Sequence, residues 1–332
     1  MLPRHRGLLP ADLPVINIAL DPLGPDLTHP IYDPRTEYGI DPYTHTLVVD
    51  ERSRQIFLDR GYDPNQVLIT DTSYCRSELE KAVSQAKLAD LDHFALHGPT
   101  PERPLQIAIV HDNFGTHFEN AISQRLVGDY LPEILEGRIF PYLTLNLENM
   151  EQLIQMIRKK TPENRKSFAI IDSAEELEEL MQNPGMRKRY LGALITKPPA
   201  EPSMSDHARF IEQQRLLSLY AHLNISRPSE HPRTAARYNT PVFQSVAYAT
   251  QEVYMSRLYE QAGFAGDWTQ LSRSSFSRYR AGRHNLRHLD LVDPSSYVKI
   301  REMAIATEGT HMQNGVAGVL AQIAQIPAGT RS

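Results

Sequence analysis

Short apolar runs rich in β-branched residues alternate along this chain with longer stretches in which apolar residues recur at helical spacing. The strand-like runs cover residues 15–20, 46–49, 66–70, 105–110, 138–145, 168–171 and 191–196. The helix-like stretches between several of them cover residues 55–60, 119–135, 147–159 and 175–181. Strands that alternate with helices form βαβ units, which give a parallel sheet with helices on both faces. The alternation therefore predicts an α/β fold.

The chain has 332 residues, and at about 100–200 residues per domain this length suggests two domains. Dense proline and glycine over residues 22–42 predict a long, turn-rich loop, and residues 97–104 are interpreted as an interdomain linker. Beyond about residue 206 the pattern becomes mostly helical, over residues 205–223, 241–262 and 294–326. We expect a partial N-terminal domain over residues 1–95, a second domain over 104–240 and a helical C-terminal extension over 241–332.

Composition narrows the class of protein. Cys75 is the only cysteine, which excludes an intrachain disulfide and a zinc site built on several cysteines, and favours a reducing compartment. The net charge of −5 disfavours the whole protein as an electrostatic nucleic-acid binder. No run approaches 18 apolar residues, and the N-terminal residues lack the apolar core of a signal peptide. We therefore expect a cytoplasmic protein.

The chain lacks the signatures of a P-loop, a dinucleotide-binding glycine loop, a zinc-protease helix and a serine-hydrolase elbow. Ligands of open parallel sheets bind at the carboxyl ends of strands, so loops that follow strands are the candidate sites. The first is the loop over residues 111–117, where Gly115 permits close backbone approach and the helix that follows offers its N-terminal amides to a phosphate. A plain βα turn is the alternative. His111, Asp112 and His117 carry metal-ligating groups, but no second cluster supplies further ligands, and no metal is expected.

The second candidate loop follows the apolar run at 191–196 and reads Lys197-Pro-Pro-Ala-Glu-Pro-Ser-Met-Ser-Asp206. A helix begins at Ser205 or Asp206, and Lys197 beside a helix N-terminus suits a diphosphate. The alternative is a loop whose prolines only set its geometry. Before this loop, Ser173 followed three residues later by Glu176 is a capping box, which predicts a helix start.

A basic segment over residues 273–288 interleaves cations with aromatic side chains. Its arginines are Arg273, Arg278, Arg280, Arg283 and Arg287. The segment faintly resembles a helix-turn-helix recognition helix, and its composition is typical of a surface that binds phosphate, an anionic membrane or nucleic acid. A solvated basic face is the alternative. Because the chain as a whole is acidic, we favour an anionic membrane surface or a protein partner over nucleic acid.

Taken in order, these elements resemble part of a GT-B glycosyltransferase, of the group that contains peptidoglycan N-acetylglucosaminyltransferase and monogalactosyldiacylglycerol synthase. Residues 15–76 are similar to the end of that family's first domain, and residues 105–210 to its second, sugar-donor domain. The most specific part is Thr196-Lys-Pro with Ser203-Met-Ser-Asp206, which is similar to the family's Ile-Thr-Lys-Pro-Gly-Gly-x-Thr-x-x-Glu. The resemblance implies a Rossmann-like GT-B architecture with a shortened first domain, and a UDP-sugar bound mainly to the second.

The resemblance also implies roles for individual residues. The donor-binding residues would be Gly115, Thr116, Asn146, Lys197, Ser203 and Asp206. No catalytic base can be carried over from the family, and His29 or Asp21, from the first domain, is our own candidate for that role. The UDP-sugar is the substrate, so no cofactor is implied, and the helix dipole with Lys197 makes a metal unnecessary.

The chain departs from the family in ways that keep two functions open. Pro199 and Ala200 stand where the family has two glycines, Asp206 stands where it has a glutamate, and we expect no counterpart of the family's first-domain loop with its catalytic histidine. Gly is what allows the close approach of a diphosphate. One function is a UDP-sugar glycosyltransferase. The other is a catalytically inactive, glycosyltransferase-like binding or scaffold protein, or one subunit of a two-chain enzyme.

Overall fold

The computed structural model describes residues 15–18, 44–48, 51–69, 77–110, 117–145, 147–158, 163, 167–197, 203–226, 235, 237–244, 265–283 and 287–306. The described residues before Ser77 belong to one compact unit, and those from Ser77 onward belong to a second. In the described part of the chain, no helix is both long and apolar enough to cross a membrane.

The first unit contains a small parallel sheet and one helix. Its elements are β1 (Val15–Ile18), β2 (Thr44–Val48), α1 (Glu51–Asp59) and β3 (Val67–Ile69). The strands pair in the order β1-β2-β3. Phe57 of α1 packs edge-to-face on Tyr62, with ring centroids 4.9 Å apart, and both rings contact the core at Val48 and Val67. This arrangement confirms the strand-helix-strand alternation predicted for residues 46–70.

The second unit is built on a seven-stranded sheet in which every neighbouring pair is parallel. Its strands are β4 (Leu105–Val110), β5 (Ile139–Leu145), β6 (Ala169–Ile171), β7 (Ala193–Thr196), β8 (Leu223–Ser226), β9 (Val242–Gln244) and β10 (Ala265–Asp267). Their order across the sheet is β10-β9-β8-β4-β5-β7-β6. The predicted α/β, Rossmann-like fold class is confirmed.

Helices cover both faces of this sheet. They are α2 (Glu78–His97), α3 (His117–Asp129), α4 (Leu131–Glu136), α5 (Leu147–Arg158), α6 (Ala174–Gln182), α7 (Pro184–Arg187), α8 (Met204–Tyr220), α9 (Ser275–Arg283) and α10 (Pro294–Ile305). Because successive strand residues point to opposite faces, Ile107 and Ile109 join one core with α2–α5 and α10, whereas Ala108 and Val110 join another with α6 and α8. Each fully buried Leu or Ile in these layers contributes about 1.5–3 kcal/mol.

The helix expected over residues 241–262 is wrong at its start, because Val242–Gln244 is the strand β9. All three of its residues are buried, and it pairs with β8 on one side and β10 on the other. A β-branched and aromatic run buried on both faces suits an inner strand. Residues 245–264 lie outside the described part. The segment predicted as a helical extension therefore contributes two strands to the sheet, in addition to α9 and α10.

The division between the two units falls at Ser77, whereas the sequence placed a boundary near residue 95. Ser77 is the N-cap of α2: its hydroxyl accepts the Glu80 N–H at 3.2 Å, and the Glu80 carboxylate accepts the Ser77 N–H at 2.9 Å. Leu91 and Phe94 of α2 are fully buried in the core of the second unit. The helix therefore belongs to that unit, and residues 97–104 form a short turn from α2 into β4.

Candidate functional site

The strands that carry the predicted loops end at one edge of the seven-stranded sheet, which we name the carboxyl edge. There β4 ends at Val110, β5 at Leu145 and β7 at Thr196, and the three strands are neighbours in that order. At roughly 4.8 Å per strand, the ends of β4 and β7 lie about 10 Å apart. The two loop regions singled out from the sequence therefore flank a single edge, with β5 between them.

Several predicted donor residues lie outside the described part of the chain. Gly115, Thr116 and Asn146 are among these, and so are the candidate bases His29 and Asp21. The structure describes the elements that flank the first three, namely β4 and α3 around residues 111–116, and β5 and α5 around residue 146. Their predicted roles stay predictions.

Lys197 is fixed at the carboxyl edge through its backbone. Its N–H donates to the Leu145 carbonyl at 3.2 Å, which extends the β5–β7 ladder by one residue beyond Thr196. The Thr196 hydroxyl donates to Asp172 Oδ1 at 2.6 Å and so ties β7 to the end of β6. Lys197 itself is half-buried. These contacts hold the base of the lysine side chain at the edge.

The helix that follows β6 begins as predicted. The Ser173 hydroxyl accepts the Glu176 N–H at 3.1 Å, and the Glu176 carboxylate accepts the Ser173 N–H at 3.4 Å, which confirms the capping box.

Helix α8 begins at the same edge with a second capping box. The Ser203 hydroxyl accepts the Asp206 N–H at 3.2 Å, and the Asp206 carboxylate accepts both the Ser203 N–H at 3.1 Å and the Ser203 O–H at 2.6 Å. Hydrogen bonds from the Ser203 hydroxyl and amide lower the pKa of Asp206, and Arg209 lies 3.5 Å from its other oxygen. Ser203 and Asp206 are therefore in direct contact, and the carboxylate is already engaged in closing the helix, which begins at Met204 and not at Ser205 or Asp206.

The α8 cap leaves donors that another acceptor can use. Among the hydrogen bonds of the described residues, none involves the N–H groups of Met204 and Ser205, the first two residues of the helix. The aligned peptides of this 17-residue helix place about half a positive charge at this end. Lys197 and these amides together make the carboxyl edge of β7 suited to an anion.

The strand order reverses between β4 and β8. From β4 the chain builds β5, β6 and β7 on one side, and then returns to build β8, β9 and β10 on the other. Such a reversal is a topological switch point, outside which open α/β sheets form their ligand crevice. In the 3-2-1-4-5-6 order of dinucleotide-binding sheets the fourth strand neighbours the first, whereas here β7 is separated from β4 by β5.

Polar side chains that the sequence did not single out are buried beside this switch point. Gln244 ends β9 and pairs with Ser226 of β8, which pairs in turn with Val110 of β4. Gln244 is 0% exposed, and neither its amide oxygen nor its amide nitrogen has a partner among the described residues. Gln213 of α8 is also buried, and neither its amide oxygen nor its amide nitrogen has a partner among the described residues. Buried unpaired polar groups cost about 1–3 kcal/mol each, so natural proteins keep them rare. Polar residues at inward strand positions were the signal available in the sequence.

Arg273 does not belong to an exposed basic patch, in contrast to the prediction. One terminal nitrogen donates to Glu133 at 2.9 Å and to the Asp129 carbonyl at 3.1 Å, and the other donates to Asp290 at 2.9 Å. Its guanidinium carbon lies 4.3 Å from the centre of the Tyr130 ring. Ion pairs with partly buried acidic side chains hold this arginine in the interior, where it joins α4 to the segment before α10.

Of the remaining arginines of the basic segment, three lie on α9, and Arg287 lies between α9 and α10. Arg278 and Arg287 are exposed, as is the aromatic ring of Tyr279. Arg280 and Arg283 lie on α9, but their side chains are outside the described part. The predicted patch is thus reduced to the arginines after Arg273.

Comparison with known proteins finds similarity to solved structures. No protein-family model matches the chain, and no curated protein matches it. Among solved structures, the chain is similar to the S. aureus MnaA–UDP co-structure, with 13% sequence identity and a TM-score of 0.40. The match covers 95% of this chain and 70% of that chain.

Proposed function

We propose that this protein binds a UDP-sugar at the carboxyl edge of the seven-stranded sheet and transfers the sugar to an acceptor, with the architecture of a GT-B glycosyltransferase. The observation that carries the proposal is that β7 ends at Thr196 and α8 begins at Met204 at the same edge of the sheet, with Lys197 directly after the strand. The switch point two strands away, between β4 and β8, offers the crevice in which a nucleoside would lie.

The diphosphate is the part of the donor that this edge would recognise. Negative charge grows on the leaving diphosphate as the sugar departs, and fixed positive groups that face such charge are usually the largest single contribution to catalysis. Lys197 would supply a full positive charge, and the amides of Met204 and Ser205, which have no partner among the described residues, would supply hydrogen bonds. In this arrangement Gly115, Thr116 and Asn146 contact the donor from the ends of β4 and β5.

In the proposed reaction, the bond between the sugar's anomeric carbon and the β-phosphate oxygen breaks, and a bond to the acceptor's hydroxyl oxygen forms. The hydroxyl proton passes to a base, for which His29 and Asp21 are the candidates. UDP leaves with the bonding electron pair. We also place the protein in the cytoplasm, with Arg278 and Arg287 facing an anionic membrane surface or a protein partner.

A second candidate function is supported by the state of Asp206. Both oxygens of its carboxylate are occupied, one by Ser203 and the other by Arg209, so it has little capacity left for sugar hydroxyls. Together with Pro199 and Ala200 in place of glycines, this favours a protein that binds a nucleotide sugar without turning it over, alone or as a subunit of a larger enzyme.

A ligand panel with one matched pair of variants tests the proposal. Thermal unfolding would be followed with UDP, UDP-sugars, ADP, GDP and inorganic phosphate. A ligand at 100 times its Kd stabilises the folded protein by about 2.7 kcal/mol, and we expect this for UDP and its sugars. Lys197→Ala should weaken UDP binding by roughly tenfold to a hundredfold, since a charge-assisted hydrogen bond contributes about 1.5–3 kcal/mol.

Lys299→Ala is the matched control, because Lys299 is an exposed lysine of the same unit whose ammonium group pairs with Glu302. A flat response to every uridine nucleotide would overturn the proposal. Binding that survives Lys197→Ala unchanged would remove the diphosphate from this edge. Binding without release of UDP from any UDP-sugar, in the presence of acceptor mixtures, would select the binding-protein alternative.

A further inference from the structure

A cavity of about 220 Å³ lies at the opposite edge of the sheet, which we name the amino edge because the strands begin there. Gln106 near the start of β4, Ile139 at the start of β5 and His222 just before β8 line it. Its volume is below the 300–1,000 Å³ typical of sites for drug-sized ligands. None of the residues assigned to the UDP-sugar lines this cavity. The cavity is therefore suited to a smaller ligand than the one proposed for the carboxyl edge.

One wall of the cavity is a buried histidine with a fixed protonation pattern. His222 is 2% exposed, its Nδ1 accepts the Gln106 N–H at 2.9 Å, and its Nε2 lies 3.1 Å from Asp90 Oδ2. Since Nδ1 accepts a hydrogen bond, Nε2 carries the ring proton and donates a hydrogen bond to Asp90. Burial lowers the pKa of His222, although the bond to Asp90 opposes the shift. Both ring nitrogens are occupied, so the imidazole positions Asp90 and has no atom left for a ligand.

Asp90, held by His222, in turn fixes the position of Arg103. Its other carboxylate oxygen, Oδ1, forms an ion pair with Arg103, whose Nε lies 2.9 Å away. Burial acts to raise the pKa of Asp90, but the hydrogen bond from His222 and the nearby Arg103 outweigh it, so the group is ionised. Arg103 is thus held by its Nε, and its side chain is 47% exposed. Among the described residues no partner is found for its two terminal nitrogens, which form the fork that binds carboxylates and phosphates.

The opposite wall adds two further cations. Arg187 donates to the carbonyls of Leu180 and Met181 at the end of α6, and its buried Nε has no partner among the described residues. Lys188 is exposed and forms no ion pair with any of the described residues.

The neutral groups also favour a ligand with acceptor atoms. The Gln106 amide oxygen accepts from the Tyr142 hydroxyl at 2.8 Å. The NH₂ group is therefore the part of this amide that a ligand can use, and it is a donor. The remaining anion on the lining is Glu102, which is exposed at the rim. The cavity therefore presents mainly unused donors and positive charge, beside apolar contacts from Ile139 and Leu191.

We propose that the amino-edge cavity binds a small organic anion, whose carboxylate or phosphate group is held by Arg103 and Lys188 and whose carbon skeleton contacts Ile139 and Leu191. The Asp90–His222 pair acts as a positioning pair that fixes Arg103 for this purpose. The inference stands independently of the function proposed for the carboxyl edge, since the two sites share no residue.

Calorimetric titration of the full chain tests this inference, with glycerol 3-phosphate as the phosphate probe and succinate as the carboxylate probe. Glycerol is the neutral control, and ionic strength is kept constant with sodium chloride. We expect saturable binding of at least one anion and none of glycerol. The anion that binds more tightly identifies which oxyanion the cavity prefers.

Variants locate the binding. Arg103→Gln should weaken it at least tenfold, and Lys188→Gln several-fold; Lys188 is exposed and unpaired in the described part, so its loss does not endanger folding. Lys299→Gln, on the surface elsewhere, should leave it unchanged. The inference fails if neither anion binds, if both cavity variants bind as the wild type does, or if Lys197→Ala abolishes binding of the small anions, which would place them at the carboxyl edge instead.

Discussion

The two edges of the seven-stranded sheet hold their charged side chains in different ways. At the amino edge, Asp90, His222 and Arg103 are interlocked, and the histidine is buried. At the carboxyl edge, Ser203 and Asp206 close a helix at the surface, and the backbone N–H of Lys197 donates to the Leu145 carbonyl. The charged groups of the amino edge are therefore held in place by one another, whereas the carboxyl edge is where we propose that an external anion binds.

The difference between the two edges predicts which substitutions change the free energy of unfolding and which change nucleotide binding. A buried polar network loses free energy of unfolding when one member is removed, because its partners stay buried and unpaired. An exposed cap contributes less, since water replaces the lost partner. Substitutions at the amino edge should therefore act first on folding, and those at the carboxyl edge first on nucleotide binding.

The largest effect on stability is expected from His222→Leu. The change removes the acceptor of the Gln106 N–H and the donor to the ionised Asp90. Together these losses should lower the free energy of unfolding by about 3 kcal/mol. Urea denaturation followed by circular dichroism measures the loss. His207→Leu, at an exposed position on α8, is the control and should change stability by less than about 0.5 kcal/mol; equal effects of the two changes would remove the distinction between the edges.

The pH dependence of stability sharpens the same point. The pKa of His222 is lowered in the folded protein, so between that value and the unfolded value of 6.5 the unfolded chain binds more protons. Stability should therefore fall as the pH drops below 6.5, by at most about 1.4 kcal/mol per pH unit from this group. His222→Leu should flatten this part of the profile. An unchanged slope in the variant would show that His222 is not the titrating group.

A smaller effect is expected from Ser203→Ala at the carboxyl edge. Loss of an N-cap hydroxyl costs about 1 kcal/mol, and here it also releases the Asp206 carboxylate from one of its partners. Ser275→Ala, at an exposed serine within α9, should have a smaller effect in the same denaturation experiment. If the freed carboxylate then repels the diphosphate, UDP affinity should fall further than stability does; a loss as large as that of His222→Leu would contradict the view that this edge is the less tightly built one.

The sequence was informative where structure is encoded locally. The alternation of strand-like and helix-like segments predicted the parallel sheet, and Ser173 with Glu176 predicted a helix start at the right residue. The sequence also singled out Lys197 and Asp206 as donor-site candidates, because they lie within ten residues of chain, in a loop and at the start of the helix after it; their role stays a prediction.

The sequence was uninformative where the partners are far apart along the chain. His222 meets Asp90 across 132 residues, and Arg273 meets Glu133 across 140. Because the first pair is remote in sequence, the amino-edge cavity was not predicted. The second pair holds Arg273, which was predicted to lie on the surface, as a link between α4 and the segment before α10. Strand β9 was missed because three residues are too few to show a period of two, and its last residue is a buried glutamine.

Hydrogen–deuterium exchange of the full chain with and without saturating UDP tests the central claim most directly. The account predicts slower exchange at the first turn of α8 and around Lys197, with no change at Gln106 or in the turn between α2 and β4. Protection confined to the amino edge, or no protection at any amide under saturating UDP, would contradict the assignment of the nucleotide site to the carboxyl edge.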